Sequence, residues 1–239
     1  MDKLYQKNEL TFAIIWIVIY VVAMSVGDML SDLIGIAKVI TAPVAVIITL
    51  ILSVWIKKKG LSEKYGLCKG DINPLKYLFF IPLALMVSVN FWGGVALNYN
   101  PLETVLFVIS MIGVGFMEEI VFRGFLFKAL EKNNLKSAII ISSVTFGIGH
   151  VINLVSGAEL VPTLLQICYA IAGGFAFTII FYKSSTLWPC IIAHSLINAT
   201  SAFSAESSLS LNIITAVVLT VVSVGYAIWL WKGIKTEEN

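Results

Sequence analysis

Eight long stretches of this chain carry no Asp, Glu, Lys or Arg: 10–27, 39–56, 77–102, 104–117, 137–158, 160–182, 184–205 and 207–231. A helix that crosses a bilayer needs about 20 consecutive apolar residues, and seven of these runs meet that need alone or nearly so. The run 104–117 is too short by itself. It reaches spanning length only if the helix continues through Glu118, Glu119 and Arg123 to about Leu130, which places an acidic pair at membrane depth. Charged residues make up 13% of the chain and apolar ones 59%, with a mean hydropathy of +0.94; soluble domains carry about 25% charged residues. The sequence therefore predicts an all-α, polytopic membrane protein of about eight transmembrane helices enclosing an intramembrane cavity. We read residues 1–239 as a single membrane domain, with 104–204 as its core.

The basic residues orient this array. Lys3 and Lys7 precede the first run, and Lys57, Lys58, Lys59, Lys64, Lys69 and Lys76 fill the second connection. Arg123, Lys128, Lys132 and Lys136 group at the fourth, Lys183 lies at the sixth, and Lys232 and Lys235 follow the last run. Lys38 is the exception, on the face whose connections carry Asp28, Asp32, Glu103, Glu159 and Glu206. By the positive-inside rule this predicts a multi-pass protein of the cell membrane with both termini cytoplasmic. The first run has no small-residue cleavage site with a soluble domain behind it, so it reads as a retained anchor. Cys68, Cys168 and Cys190 are odd in number and lie in a basic loop or in spans, which argues for free thiols over a disulfide framework. A net charge of +2, spread over loops that face lipid head groups, calls for membrane lipid as partner and not for nucleic acid.

An ionisable side chain in hydrocarbon costs several kcal/mol unless it is paired or hydrated, so the few here mark a functional site. They are Glu118, Glu119, Arg123, His150, His194 and the amide Asn198; His150 and His194 are the chain's two histidines. Glu119 and Arg123 are four apart and share a helix face, which suits an ion pair. Glu118 is turned about 100° from Glu119 and points elsewhere. His194 and Asn198 have the same four-residue spacing. With about 1.5 Å of rise per residue, Glu118, His150 and His194 all reach a zone between the bilayer middle and its cytoplasmic half. Gly113, Gly115, Gly173 and Gly174 read as close-packing positions. Cys190 shares a face with His194 but reads as packing, and Ser195 points away from it.

Three motifs, Glu118-Glu119-Ile-Val-Phe-Arg123, Phe146-Gly-Ile-Gly-His150 and His194-Ser-Leu-Ile-Asn198, stand in this order within residues 104–204. In this the chain resembles the type II CaaX prenyl endopeptidase and bacteriocin-processing family, CPBP or Abi, of intramembrane proteases. The resemblance implies a peptide or lipid-associated protein substrate, with processing of a pheromone or bacteriocin, or immunity to one, as the role. Amide hydrolysis in a membrane needs a delivered water, a base and donors for the developing oxyanion. Glu118 is the candidate base, with His150 positioning the water. His194 and Asn198 are candidates to polarise the scissile carbonyl. Glu119 and Arg123 are expected to orient the site or bind substrate. A metal-free mechanism is preferred, with no cofactor required; the alternative is zinc held by Glu118, His150 and His194, a two-histidine, one-carboxylate set with an open position. Two other classes compete: a non-proteolytic membrane partner that gives immunity or regulates a sensor kinase, and a proton-coupled transporter, which lacks here the paired interrupted helices of an inverted repeat.

Overall fold

The computed structural model describes residues 1–233; Lys235 lies outside them. Among the described residues the chain is helical, apart from loops and an isolated bridge between Val95 and Ser204. In order the α-helices are α1 (Asp2–Lys7), α2 (Glu9–Ile34), α3 (Thr41–Lys58), α4 (Ile81–Ser88), α5 (Pro101–Glu118), α6 (Lys128–Glu131), α7 (Leu135–Gly149), α8 (Ile152–Val155), α9 (Leu160–Ser184), α10 (Trp188–Thr200) and α11 (Leu209–Gly233). Six helical stretches are long and apolar enough to cross a membrane: α2, α3, Pro101–Glu131, Leu135–Val155, α9 and α11.

Two of the eight expected spans are shorter than a bilayer. The run 77–102 yields only Ile81–Phe91 as an apolar helix. Leu78 and Phe80 take left-handed backbone angles at its start, and the chain turns at Gly94 (φ 107°) beyond it. The run 184–205 gives the 13-residue α10, which begins with Pro189 in its first turn and ends in a short 3₁₀ turn at Ser201–Phe203. Asn90 holds the two short helices together, donating from Nδ2 to Ile197 O at 2.6 Å and to Thr200 Oγ1 at 2.8 Å. An uncharged run reports how much apolar surface a segment has, not whether it is straight.

The helix carrying the acidic pair continues from Pro101 to Glu131, as its charges at membrane depth required. It does not stay α-helical: Glu119–Phe127 is wound as a π-helix, a rare form that recurs at functional sites. Small residues bring its neighbours in. A Cβ on Gly115 would lie 2.7 Å from Ser195 N, so α5 and α10 touch backbone to backbone there. Gly147, inside the second motif, is equally closed in, with Ile171 N at 2.8 Å from the same kind of Cβ on α9. Both contacts follow the small-residue packing expected between membrane helices.

The helix ends sort by charge. Glu9 meets Lys64 at 2.8 Å and Lys132 at 2.9 Å, and Asp2 meets Lys59 at 2.5 Å, so the N-terminus, the basic loop and the 128–132 turn share one end. At the other, Lys38 pairs with Asp28 at 2.8 Å, and Glu103 accepts from Ala37 N at 3.0 Å. Arg123 departs from the pattern expected of a loop residue: it is fully buried. The three cysteines are free thiols.

Candidate active site

Glu118 ends α5, Glu119 opens the π segment, and His194 sits at mid-length on α10, which Gly115 allows to lie against α5. This contact puts the imidazole between the two carboxylates. Its Nδ1 is 2.8 Å from Glu119 Oε1 and its Nε2 is 3.1 Å from Glu118 Oε2. Glu119 Oε1 also lies 3.2 Å from Arg123 Nη1. The geometry there is that of an ion pair and not of an aligned hydrogen bond, since none of the guanidinium nitrogens has a hydrogen-bond partner. Arg123 instead lies over the ring of Phe146, 4.1 Å from its centroid, with Phe177 at 5.7 Å. Such a cation–π contact is worth about 2 kcal/mol when desolvated. The family-type phenylalanine that precedes His150 by four residues therefore has a job: it covers the buried cation.

The expected division of the acidic pair is present, but Glu118 has a partner that its local sequence does not offer. Tyr20, on α2, donates its hydroxyl to Glu118 Oε1 at 2.6 Å. Five side chains thus form one chain of contacts, Arg123–Glu119–His194–Glu118–Tyr20, drawn from three separate helical stretches. Tyr20 falls on the inward stripe Phe12, Trp16, Tyr20, Met24, Gly27 and Ser31 of α2. The stripe runs at steps of three and four, the helical period, and nothing in an all-apolar run distinguishes it from the lipid-facing stripe Val18, Val22, Met29 and Leu33.

His150 and Asn198 lie apart from this chain of contacts. His150 caps α7 with its ring edge-on to Phe146, centroids 5.5 Å apart. Asn198 is one turn beyond His194. Both line a polar cavity of about 300 Å³ that also holds Tyr20, Glu118, Asn153 and Gln166 and runs along α2 past Ser25 to Asp28 and Lys38. Both also line a smaller, mostly apolar chamber of about 110 Å³ with Met86, Tyr169, Gly173 and Leu219, and His194 lies on its wall. The two spaces meet at His150 and Asn198. Glu119 and Arg123 line neither. A larger cavity, about 820 Å³, is a groove between α4 and the far side of α10 and contains none of the six candidate residues.

As a metal set, Glu118, His150 and His194 fit poorly. Both nitrogens of His194 face carboxylates, and among the described residues no group of three or more His, Cys, Asp or Glu side chains converges as ligands.

Residues 100–200 match the model of the Rce1-like family, type II CAAX prenyl endopeptidase Rce1-like. A candidate membrane peptidase, YdiL of Bacillus subtilis (strain 168), is 37% identical over 94 residues, which are 39% of this chain and 34% of that protein. The chain therefore spans about a third of the length of the curated relative it matches. No solved structure gives a significant match.

Proposed function

Taking as premise that the segment 100–200 is of the Rce1-like CAAX endopeptidase kind, a CPBP-family protease segment, we propose that this chain is an intramembrane endopeptidase in which Glu118 activates water. The observation that carries the proposal is the placement of Glu118 on a polar cavity in a multi-pass membrane protein, with His150 and Asn198 beside it and no ion pair with Arg123 to neutralise it. A water in that cavity gives its proton to Glu118 as the oxygen attacks the scissile carbonyl carbon, and the same proton can pass on to the leaving amine. On this reading His150 and Asn198, which line both spaces, position the water and donate to the developing oxyanion. His194, held between two carboxylates, orients Glu118 and relays charge to Glu119. That role differs from the carbonyl-polarising one expected of it from the chemistry of amide hydrolysis. Glu119 and Arg123 orient His194 from a place that substrate does not reach.

The apolar chamber favours a small peptide. Its volume of about 110 Å³ equals that of about four liquid waters, enough for an apolar side chain and too little for a folded domain. The chamber takes one apolar side chain of an extended peptide, which a small secreted precursor of pheromone or bacteriocin kind can supply. With the basic end of the bundle on the cytoplasmic side, a reading the positive-inside rule supports, the polar cavity takes its water from the opposite face, past Asp28 and Lys38. The reading needs no metal, since Glu118 and the two donors supply base and oxyanion contacts.

The test uses the purified protein in phospholipid vesicles with a panel of internally quenched apolar peptides and small secreted precursors. Glu118→Gln should lower cleavage by about 10²–10⁴-fold, the usual worth of a general base, and Asn198→Ala by about 10²–10³-fold, with thermal unfolding unchanged. Cleavage should survive chelation, and metal analysis should find no stoichiometric zinc. Full activity in Glu118→Gln would overturn the reading and leave a binding role.

A further inference from the structure

Tyr20 lies 80 residues before the matched segment begins, on a helix that carries none of the three motifs. Its side chain is 9% exposed and stands on the wall of the polar cavity. A phenol carried into a membrane interior seeks a partner for its hydroxyl. Here the partner is the candidate base itself, at 2.6 Å, a length typical of a hydroxyl donating to an ionised carboxylate. Glu118 is then held at both oxygens from two different helices, Oε1 by Tyr20 on α2 and Oε2 by His194 on α10. Among the described residues, Glu118, whose side chain has three rotatable bonds, has no further hydrogen-bond partner to fix where its free lone pairs point.

We propose that Tyr20 is a positioning residue for Glu118: its O–H, donated to Oε1, fixes the carboxylate so that its remaining lone pairs face the polar cavity. The proposal rests on the reading of Glu118 as base. The role is exerted through Glu118. Because the donated hydrogen bond favours the ionised carboxylate, its loss should move the acid limb of the pH–rate profile upward.

Tyr20→Phe keeps the ring and removes the hydroxyl. In the vesicle assay it should lower kcat by about tenfold with KM within about twofold, and shift the acid limb about one pH unit to the alkaline side. 3-Fluorotyrosine at position 20, a better donor of the same shape, should shift that limb to the acid side, while Met24→Leu on the same cavity wall should leave it in place. An infrared pH titration gives a readout that needs no substrate: the carboxylate band missing from Glu118→Gln should titrate about one unit higher in Tyr20→Phe. An unmoved band and an unmoved limb in both Tyr20 variants would overturn the proposal. A moved band in a protein that cleaves no peptide would uphold the positioning contact and sink the protease reading instead.

Discussion

Glu118 and Glu119 are neighbours in sequence and stand on opposite sides of a boundary between wet and dry. From Glu119 onward, all nine residues of the π segment are buried. Phe125, 2% exposed, is enclosed by Phe12, Trp16, Trp55 and Tyr65, with ring centroids 4.9–6.4 Å away. On the Glu118 side the wall is Tyr20, Ser25, Asn153 and Gln166, opening on an Asp28 side chain that is 43% exposed. The difference teaches what decides the use of a charge in a bilayer. A carboxylate without a path to water must be neutralised where it stands, and Glu119 has Arg123 and His194 for that. One on a hydrated cavity can keep a lone pair free for chemistry.

The contrast breaks most visibly in access. In a variant with the three native cysteines replaced, Ser25→Cys should react with a membrane-impermeant maleimide added from the face opposite the N-terminus, and Leu126→Cys should not react from either face. Labelling of both from the N-terminal face would place the water on the wrong side of the acidic pair. The next largest effect is on stability. Arg123→Ala leaves Glu119 buried with half its compensation gone and should cost about 3–5 kcal/mol, read as a lowered unfolding midpoint in detergent. The paired change Arg123→Met with Glu119→Gln removes both charges and should cost clearly less. Equal losses for the two variants would mean that Arg123 serves by packing against Phe146 and not by charge.

Much of the site was legible because ionisable residues are so few in these runs. Six side chains stood out from an apolar background, and the three motifs fixed their order; the structure brings Glu118, Glu119, Arg123 and His194 into contact and sets His150 and Asn198 on the same cavity. Tyr20 was not legible. It sits among Ile, Val and Trp on a helix apolar on every side, and only the packing of α2 against the π segment shows which side turns inward. The π winding was equally hidden, since Glu119–Phe127 has the composition of any amphipathic helical stretch. The spans were legible as apolar lengths, but Ile81–Phe91 and α10 are cut short by backbone turns and caps that hydropathy does not register. Asp28 and Lys38 read as ordinary loop charges, because their place at the mouth of the cavity depends on α2 packing against the π segment and α3 against α5.

That mouth supplies the smallest expected effect. Lys38 and Asp28 pair at 2.8 Å, and Thr41 Oγ1 donates to the same carboxylate oxygen at 2.5 Å, yet a pair this exposed to water is worth about 0–1 kcal/mol. Asp28→Asn should therefore unfold within about 1 kcal/mol of the parent, far from the loss expected of Arg123→Ala. Its effect should fall on encounter: a carboxylate at the entrance draws cationic peptides, so their cleavage should slow by less than about tenfold at low ionic strength. The difference from the parent should fade as salt shortens the Debye length toward about 3 Å near 1 M. A salt-independent loss, or a destabilisation matching that of Arg123→Ala, would mean that Asp28 is as dry as Glu119. The wet side of the boundary would then have to be sought elsewhere, along the groove between α4 and α10.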